Sequence, residues 1–197
     1  MRVLLAGASG TLGRALVPQL LAAGHEVLGI TRSKASAERL RARGADAVVA
    51  DVLDRDALLA RLEGQRADAV MNQLTALATP PLRYESMRRT NQLRDTGTAH
   101  LIEAAPLVGA TRVLTQSIVF GYGYRRRHAG PVDETAPFAV PEHPPVNAIH
   151  AALASTESQV FGTPGIEGIA LRYGLFYGLD RAMMQRLLRR RALPVST

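Results

Sequence analysis

The stretch "GASGTLG", residues 7 to 13, sets Gly7, Gly10 and Gly13 three apart, between an apolar run (Val3, Leu4, Leu5) and a helical apolar rhythm (Leu12, Ala15, Leu16, Leu20). Glycine accepts backbone angles that a Cβ forbids, so these positions allow a sharp turn from strand into helix. Such a turn aims backbone N–H groups and the positive end of a helix dipole at one point, where a pyrophosphate is stabilised. A second group, Thr31, Arg32, Ser33 and Lys34, follows the run "EVLGI" and contains no carboxylate. A guanidinium there can take a phosphate through two parallel donors, or merely solvate a loop. A third candidate is Asp51 in "VVADVLD", which can accept from an amino group or cap the helix that follows.

Residues so far apart in sequence meet only if regular elements carry them to one edge. Strands are expected at 2–6, 26–31, 47–50, 68–72, 112–117 and 167–172, and helices at 12–23, 35–43, 54–63, 86–105, 148–161 and 180–191. That alternation is what a parallel sheet requires. The expected fold is α/β, a three-layer Rossmann fold with a doubly wound parallel sheet, which binds ligands beyond the C-terminal ends of its strands. In such a fold the second strand ends at the adenosine ribose, so Arg32 without a neighbouring acid favours NADP, with NAD the lesser candidate. Pro18 should bend the first helix without breaking it. The irregular, proline-rich stretch from Gly121 to Asn147 follows a strand's C-terminal end, where a long loop faces substrate.

Composition excludes several classes. A chain of 197 residues with 47% hydrophobic content and no apolar run long enough for a bilayer suits one Rossmann domain, 1–197, with no membrane partner. Without cysteine there is no disulfide, thiolate metal site or thiol nucleophile, and no metal is expected. The chain opens on a strand and not on a signal peptide, so a cytoplasmic location is expected. The net charge of +7 is almost all arginine, Lys34 being the one lysine. Those arginines are scattered, and the clusters Arg125 to Arg127 and Arg189 to Arg191 have no aromatic platform, so no nucleic-acid partner is expected.

The segments "GASGTLG", "ADVLD", "GTAHLIEAA", "RVLTQSIVFGYG", "PVDETAP" and "GIALRYGLFYG" cover nearly the whole chain. In that order they resemble the short-chain dehydrogenase/reductase superfamily, in its extended or atypical NAD-dependent epimerase/dehydratase branch. The resemblance implies dinucleotide contacts from Gly7, Ser9, Gly10, Thr11, Leu12 and Gly13, and from Thr31, Arg32 and Ser33. It implies further contacts from Asp51 and Val52, and from Asn72, Gln73 and Leu74 in "MNQLT". Ser117 matches the catalytic serine, which hydrogen-bonds the substrate oxygen.

Two departures qualify what the resemblance implies. The family uses a tyrosine and a lysine four positions later, the lysine lowering the phenol's pKa so that it passes a proton near neutral pH. With Glu157 as the family's helix acid, "VNAIHAALASTESQVF" puts Ile149 and Leu153 in those places, and the sole lysine lies elsewhere. Candidate replacements are Tyr122, Tyr124, His150 or water. His150 is one residue, about 100°, around the helix, and a surface histidine is the competing expectation. The family also continues into a substrate lobe, so the sequence reads as a fragment or an incompletely covered chain. If it ended at Thr197, the uncovered sheet edge would favour a homodimer. The expected function is an NAD(P)-dependent oxidoreductase or epimerase/dehydratase-like enzyme on a small carbonyl or hydroxyl substrate. The alternative is a non-catalytic NADP(H)-binding sensor or scaffold.

Overall fold

The strands are β1 (Arg2–Ala6), β2 (Glu26–Thr31), β3 (Asp46–Val49), β4 (Ala69–Asn72), β5 (Arg112–Ile118) and β6 (Glu167–Tyr173). They alternate with helices α1 (Thr11–Ala22), α2 (Lys34–Arg41), α3 (Arg55–Leu62), α4 (Arg88–Gln92), α5 (Thr98–Leu107) and α6 (Pro144–Gly162). These come from a computed structural model that describes residues 1–77, 84–123, 130–138 and 144–174. All pairings are parallel, and the six strands form one sheet in the order β3-β2-β1-β4-β5-β6.

The strands are apolar on both faces because both faces are covered. On one, Leu4, Leu28, Val70 and Val113 meet Leu58 and Leu62 of α3, Leu101 and Ala104 of α5 and Val160 of α6. On the other, Leu5 and Val27 meet Val17 of α1 with Ala37 and Leu40 of α2. Burying one leucine contributes on the order of 2 kcal/mol, so these two cores hold the layers together. The result is the expected three-layer, doubly wound α/β fold. Strand order reverses direction between β1 and β4, which opens a crevice at their C-terminal ends.

Two elements differ from expectation. A single helix is expected over 86–105, but a 3-10 turn (Tyr84–Met87) leads into α4, and a π-helical turn (Leu93–Gly97) joins α4 to α5. The π turn takes up one residue more than an α turn, and in a run this short a shift of one position does not stand out in the sequence. Next, α6 begins at Pro144, four residues early, since proline suits a first helical turn. The helix expected at 180–191 lies outside the described residues. Helix α1 runs unbroken through the exposed Pro18. Among the described residues no helix is long and apolar enough to cross a membrane.

Candidate active site

Beside the crevice, β1 passes into Gly7 at φ +89°, a left-handed conformation that favours glycine. A Cβ on Gly7 would stand 2.6 Å from the Gln73 carbonyl oxygen, so the turn is held tight against the end of β4. The Gly10 N–H donates to the Gly7 oxygen at 2.9 Å. Gly10 is also the N-cap of α1 and brings no side chain to cap it. The first-turn N–H groups of α1, at Thr11, Leu12 and Gly13, therefore keep the unsatisfied donors of any helix start. Gly13 is buried directly against Gly7 and Ala8, with no room for a methyl group. The chemistry of this turn suits a pyrophosphate, since free first-turn N–H donors and the positive end of the α1 dipole meet there.

The second strand brings Thr31 in buried, its hydroxyl 3.4 Å from that of Ser9. Ser33 caps α2, its Oγ accepting from the Ser36 N–H at 3.2 Å. Arg32 and Lys34 flank it and are exposed. Asp51 does not cap α3. That helix starts too late, and its cap is Asp54, whose Oδ1 accepts from the Ala57 N–H at 3.1 Å. Asp51 instead accepts from the Leu53 N–H at 3.0 Å and pairs with Arg89 at 2.9 Å, a partner that sequence reading did not anticipate. Val52 is buried, and its carbonyl lies 2.8 Å from Nδ1 of His100.

The end of β4 is fixed by Asn72, which is buried, donates to the Thr98 hydroxyl at 3.0 Å and accepts from the Leu74 N–H at 3.2 Å. Gln73 is buried next to Tyr173, and the backbone carbonyl of Leu74 accepts from the Gln116 amide. Burial pushes the Tyr173 phenol above its ordinary pKa, and Gln73 opposes the shift. The groups from β1, β2 and β4 thus converge on one edge of the sheet.

At the other end of the crevice stands Ser117, fully buried, its hydroxyl without a hydrogen-bond partner among the described residues. Ile149 and Leu153 are buried with Met87 in an apolar cluster, edged by Leu77, Ile118 and Phe138. His150 is buried and not on the helix surface. The correction has a packing reason: α6 is covered by β5 and β6 on one side and on another by α4 and the π turn. Asn91 reaches the Ala148 carbonyl at 3.3 Å there, and Thr156 donates to the Arg94 carbonyl. Tyr122 donates its hydroxyl proton to the Asp133 carbonyl at 3.0 Å. Tyr124, Arg125 to Arg127 and His128 lie outside the described residues.

Sequence reading also passed over Arg94, which is buried in the π turn, and Arg172 on β6. Arg172 makes two bonds to the Glu157 carboxylate, at 2.9 and 2.8 Å, which hold its guanidinium well above its usual pKa. Its signal was present in "GIALRYG", a charge inside an apolar strand.

The chain is similar to the 3-diazoavenalumate denitrifying reductase of a Streptomyces species, with 40% identity over 185 residues, covering 90% of this chain and 57% of that protein. The structure of Thermotoga maritima UDP-glucose 4-epimerase with UDP-glucose matches with a TM-score of 0.72 at 21% identity, over 90% of this chain and 57% of that one. Bifidobacterium longum UDP-glucose 4-epimerase, in complex with NAD+ and UDP, matches with a TM-score of 0.69 at 17% identity, over 88% and 53%. At those identities the two structures establish a shared fold. The chain spans a little over half the length of each of these relatives. The family model for the NAD dependent epimerase/dehydratase family matches residues 3–193, and the chain belongs to that family.

Proposed function

We propose that this chain carries the cofactor-binding half of an NADP(H)-dependent reductase that works without its family's tyrosine–lysine proton relay. One observation carries the reading: Ile149 and Leu153, which stand where that pair is expected, are packed into an apolar cluster with Met87. Neither can pass a proton. In this reading the turn from Gly7 to Gly13, with Ser9, Thr11 and Leu12, holds the pyrophosphate. Thr31, Arg32 and Ser33 meet the adenosine ribose, where the exposed Arg32 takes a 2′-phosphate and makes NADP the preferred cofactor over NAD. Asp51 and Val52 serve the base, and Asn72, Gln73 and Leu74 extend the wall toward the reacting end. When bound, the cofactor supplies or accepts a hydride at its nicotinamide ring.

The chain's own part is positioning and exclusion of water. Ser117 donates from Oγ to the acceptor atom of a small substrate, while Ile149, Leu153 and Met87 keep that neighbourhood dry. Tyr122 has its proton on the Asp133 carbonyl, so it orients the loop before it donates. His150 and Tyr124 stay candidates for a proton donor. The substrate class that fits is an electrophile whose reduction needs no proton delivered to an oxygen. A diazonium is one: hydride adds to the terminal nitrogen, and the diazene then loses N2 and keeps the hydrogen on carbon. The similarity to a reductase of a diazo compound supports this class.

The test is NADPH oxidation by the full-length protein, above the uncatalysed rate, against aryl diazonium salts, enones, aldehydes and ketones, together with UDP-glucose epimerisation. Turnover of diazonium or enone acceptors alone is expected. Aldehyde or ketone reduction at comparable rates, or epimerisation, would overturn the proposal. Tight NADPH binding with no turnover anywhere in the panel would favour the non-catalytic sensor instead, since the missing pair suits that role as well.

A further inference from the structure

The guanidinium of Arg172 lies 4.6 Å from the centroid of the Tyr122 ring and 4.9 Å from that of Phe138. Its side chain is 17% exposed and that of Glu157, its partner on α6, 6%. Arg172 also stands directly opposite Ser117 in the β5–β6 register, so the two side chains leave the sheet on the same face. Tyr122 and Phe138 belong to different segments, one just after β5 and the other at the end of residues 130–138. Their meeting on one cation therefore joins a loop to the sheet.

Other contacts close the same loop. Phe138 packs on Gly121, where a Cβ would come within 2.7 Å of its ring. Tyr122 holds the Asp133 carbonyl. Asp133 in turn accepts from both the N–H and the hydroxyl of Thr135, at 3.0 and 2.6 Å, which shapes the segment into a compact turn. Phe138 continues into the apolar cluster of Ile118, Ile149, Leu153 and Met87.

We propose that Arg172 is a positioning residue: fixed by Glu157, it clamps Tyr122 and Phe138 and thereby seats the segment Gly130–Phe138 so that Phe138 forms an apolar wall of the substrate pocket on the sheet face of Ser117. The inference deepens the proposed function and rests on it for the word substrate. A flat guanidinium suits the task because it stacks on two rings while its edge pairs with a carboxylate. Lysine keeps the charge and loses the flat surface. A wall of this kind receives an apolar group and offers little to the hydroxyls of a sugar.

The experiment follows amide hydrogen exchange by mass spectrometry in wild type, Arg172→Lys, Glu157→Gln and Phe138→Leu, beside NADPH affinity by fluorescence. Exchange in 119–123 and 130–138 should rise about tenfold in all three variants, with β1 and β2 unchanged and NADPH affinity within about twofold. With an acceptor that the wild type reduces, KM should rise about fivefold or more while kcat changes little. Unchanged exchange in 130–138 overturns the proposal. So does a rise spread evenly over the chain, which marks a purely structural ion pair. Should removing half of the ion pair prevent folding, Phe138→Leu reaches the same loop from its other side and decides the matter alone. A wild type that binds no NADPH would defeat the proposed function, yet the exchange pattern would still judge the clamp.

Discussion

A methyl group on Gly13 would lie 2.6 Å from both the carbonyl carbon and the oxygen of Ala8. The obstacle is backbone, which cannot swing aside as a long side chain can. Gly13→Ala should push α1 away from β1, destabilise the fold by about 1–3 kcal/mol and disorder the cradle at the helix start. Thermal melting and NADPH titration check this, with at least a tenfold weaker Kd expected. An alanine variant with wild-type melting and affinity would refute the tight packing.

Arg32 is exposed at the end of β2, with no carboxylate among its neighbours in sequence from Thr31 to Lys34. Arg32→Ala should weaken NADPH by about tenfold, the range of one charge-assisted contact, and leave NADH nearly unaffected. Parallel fluorescence titrations measure the ratio. Equal losses for the two cofactors would assign Arg32 to loop solvation.

Removing the Ser117 hydroxyl deletes a buried donor that has no other partner among the described residues. In Ser117→Ala, kcat toward an enone, whose oxygen becomes negative as hydride adds, should fall by about 10 to 1,000-fold, the range of a lost oxyanion-type donor, while NADPH affinity stays the same. Steady-state kinetics beside a binding titration separate the two effects.

Leu153 is fully buried in the cluster with Ile149 and Met87. Leu153→Lys would place an ammonium in that cluster one turn from Glu157, whose carboxylate Arg172 already occupies, and a stability loss of about 3 kcal/mol or more is expected. Adding Ile149→Tyr should not create a ketone reductase, because the surroundings of the pair are apolar. Denaturant unfolding and a ketone assay test the two statements separately.

Tyr173 gives a pH signature. Burial raises its folded pKa above the ordinary 10.0, so the unfolded chain loses this proton first. Its contribution to stability is complete below pH 10 and disappears as pH climbs through the higher, folded value. In Tyr173→Phe the alkaline decline should be shallower than in wild type, which denaturant midpoints across that range will show.

How far the sequence revealed the structure depended on whether a residue's role was local. Gly7, Gly10 and Gly13 act within one turn, and six strands announced themselves by short apolar runs, so the fold and the cradle were readable. Asp51 was read as a cap or an acceptor, but capping requires the helix start to the residue, and α3 begins after Asp54. The burial of His150 depends on what covers a second side of α6, which no single helix encodes. The Arg172–Glu157 pair bridges a strand and a helix, and its two aromatic contacts come from segments whose closeness only the folded loop creates.

The strand order has a consequence for synthesis. β1 leaves the ribosome before the other five strands and ends in the middle of the sheet, with β2 on one side and β4 on the other. Val3 finds Val27 early, but its second neighbour is Ala69. Until that later segment emerges, β1 has no strand to pair with along its second edge. A chaperone that recognises unpaired strand edges has its natural window there, and a translational pause before Ala69 would lengthen it.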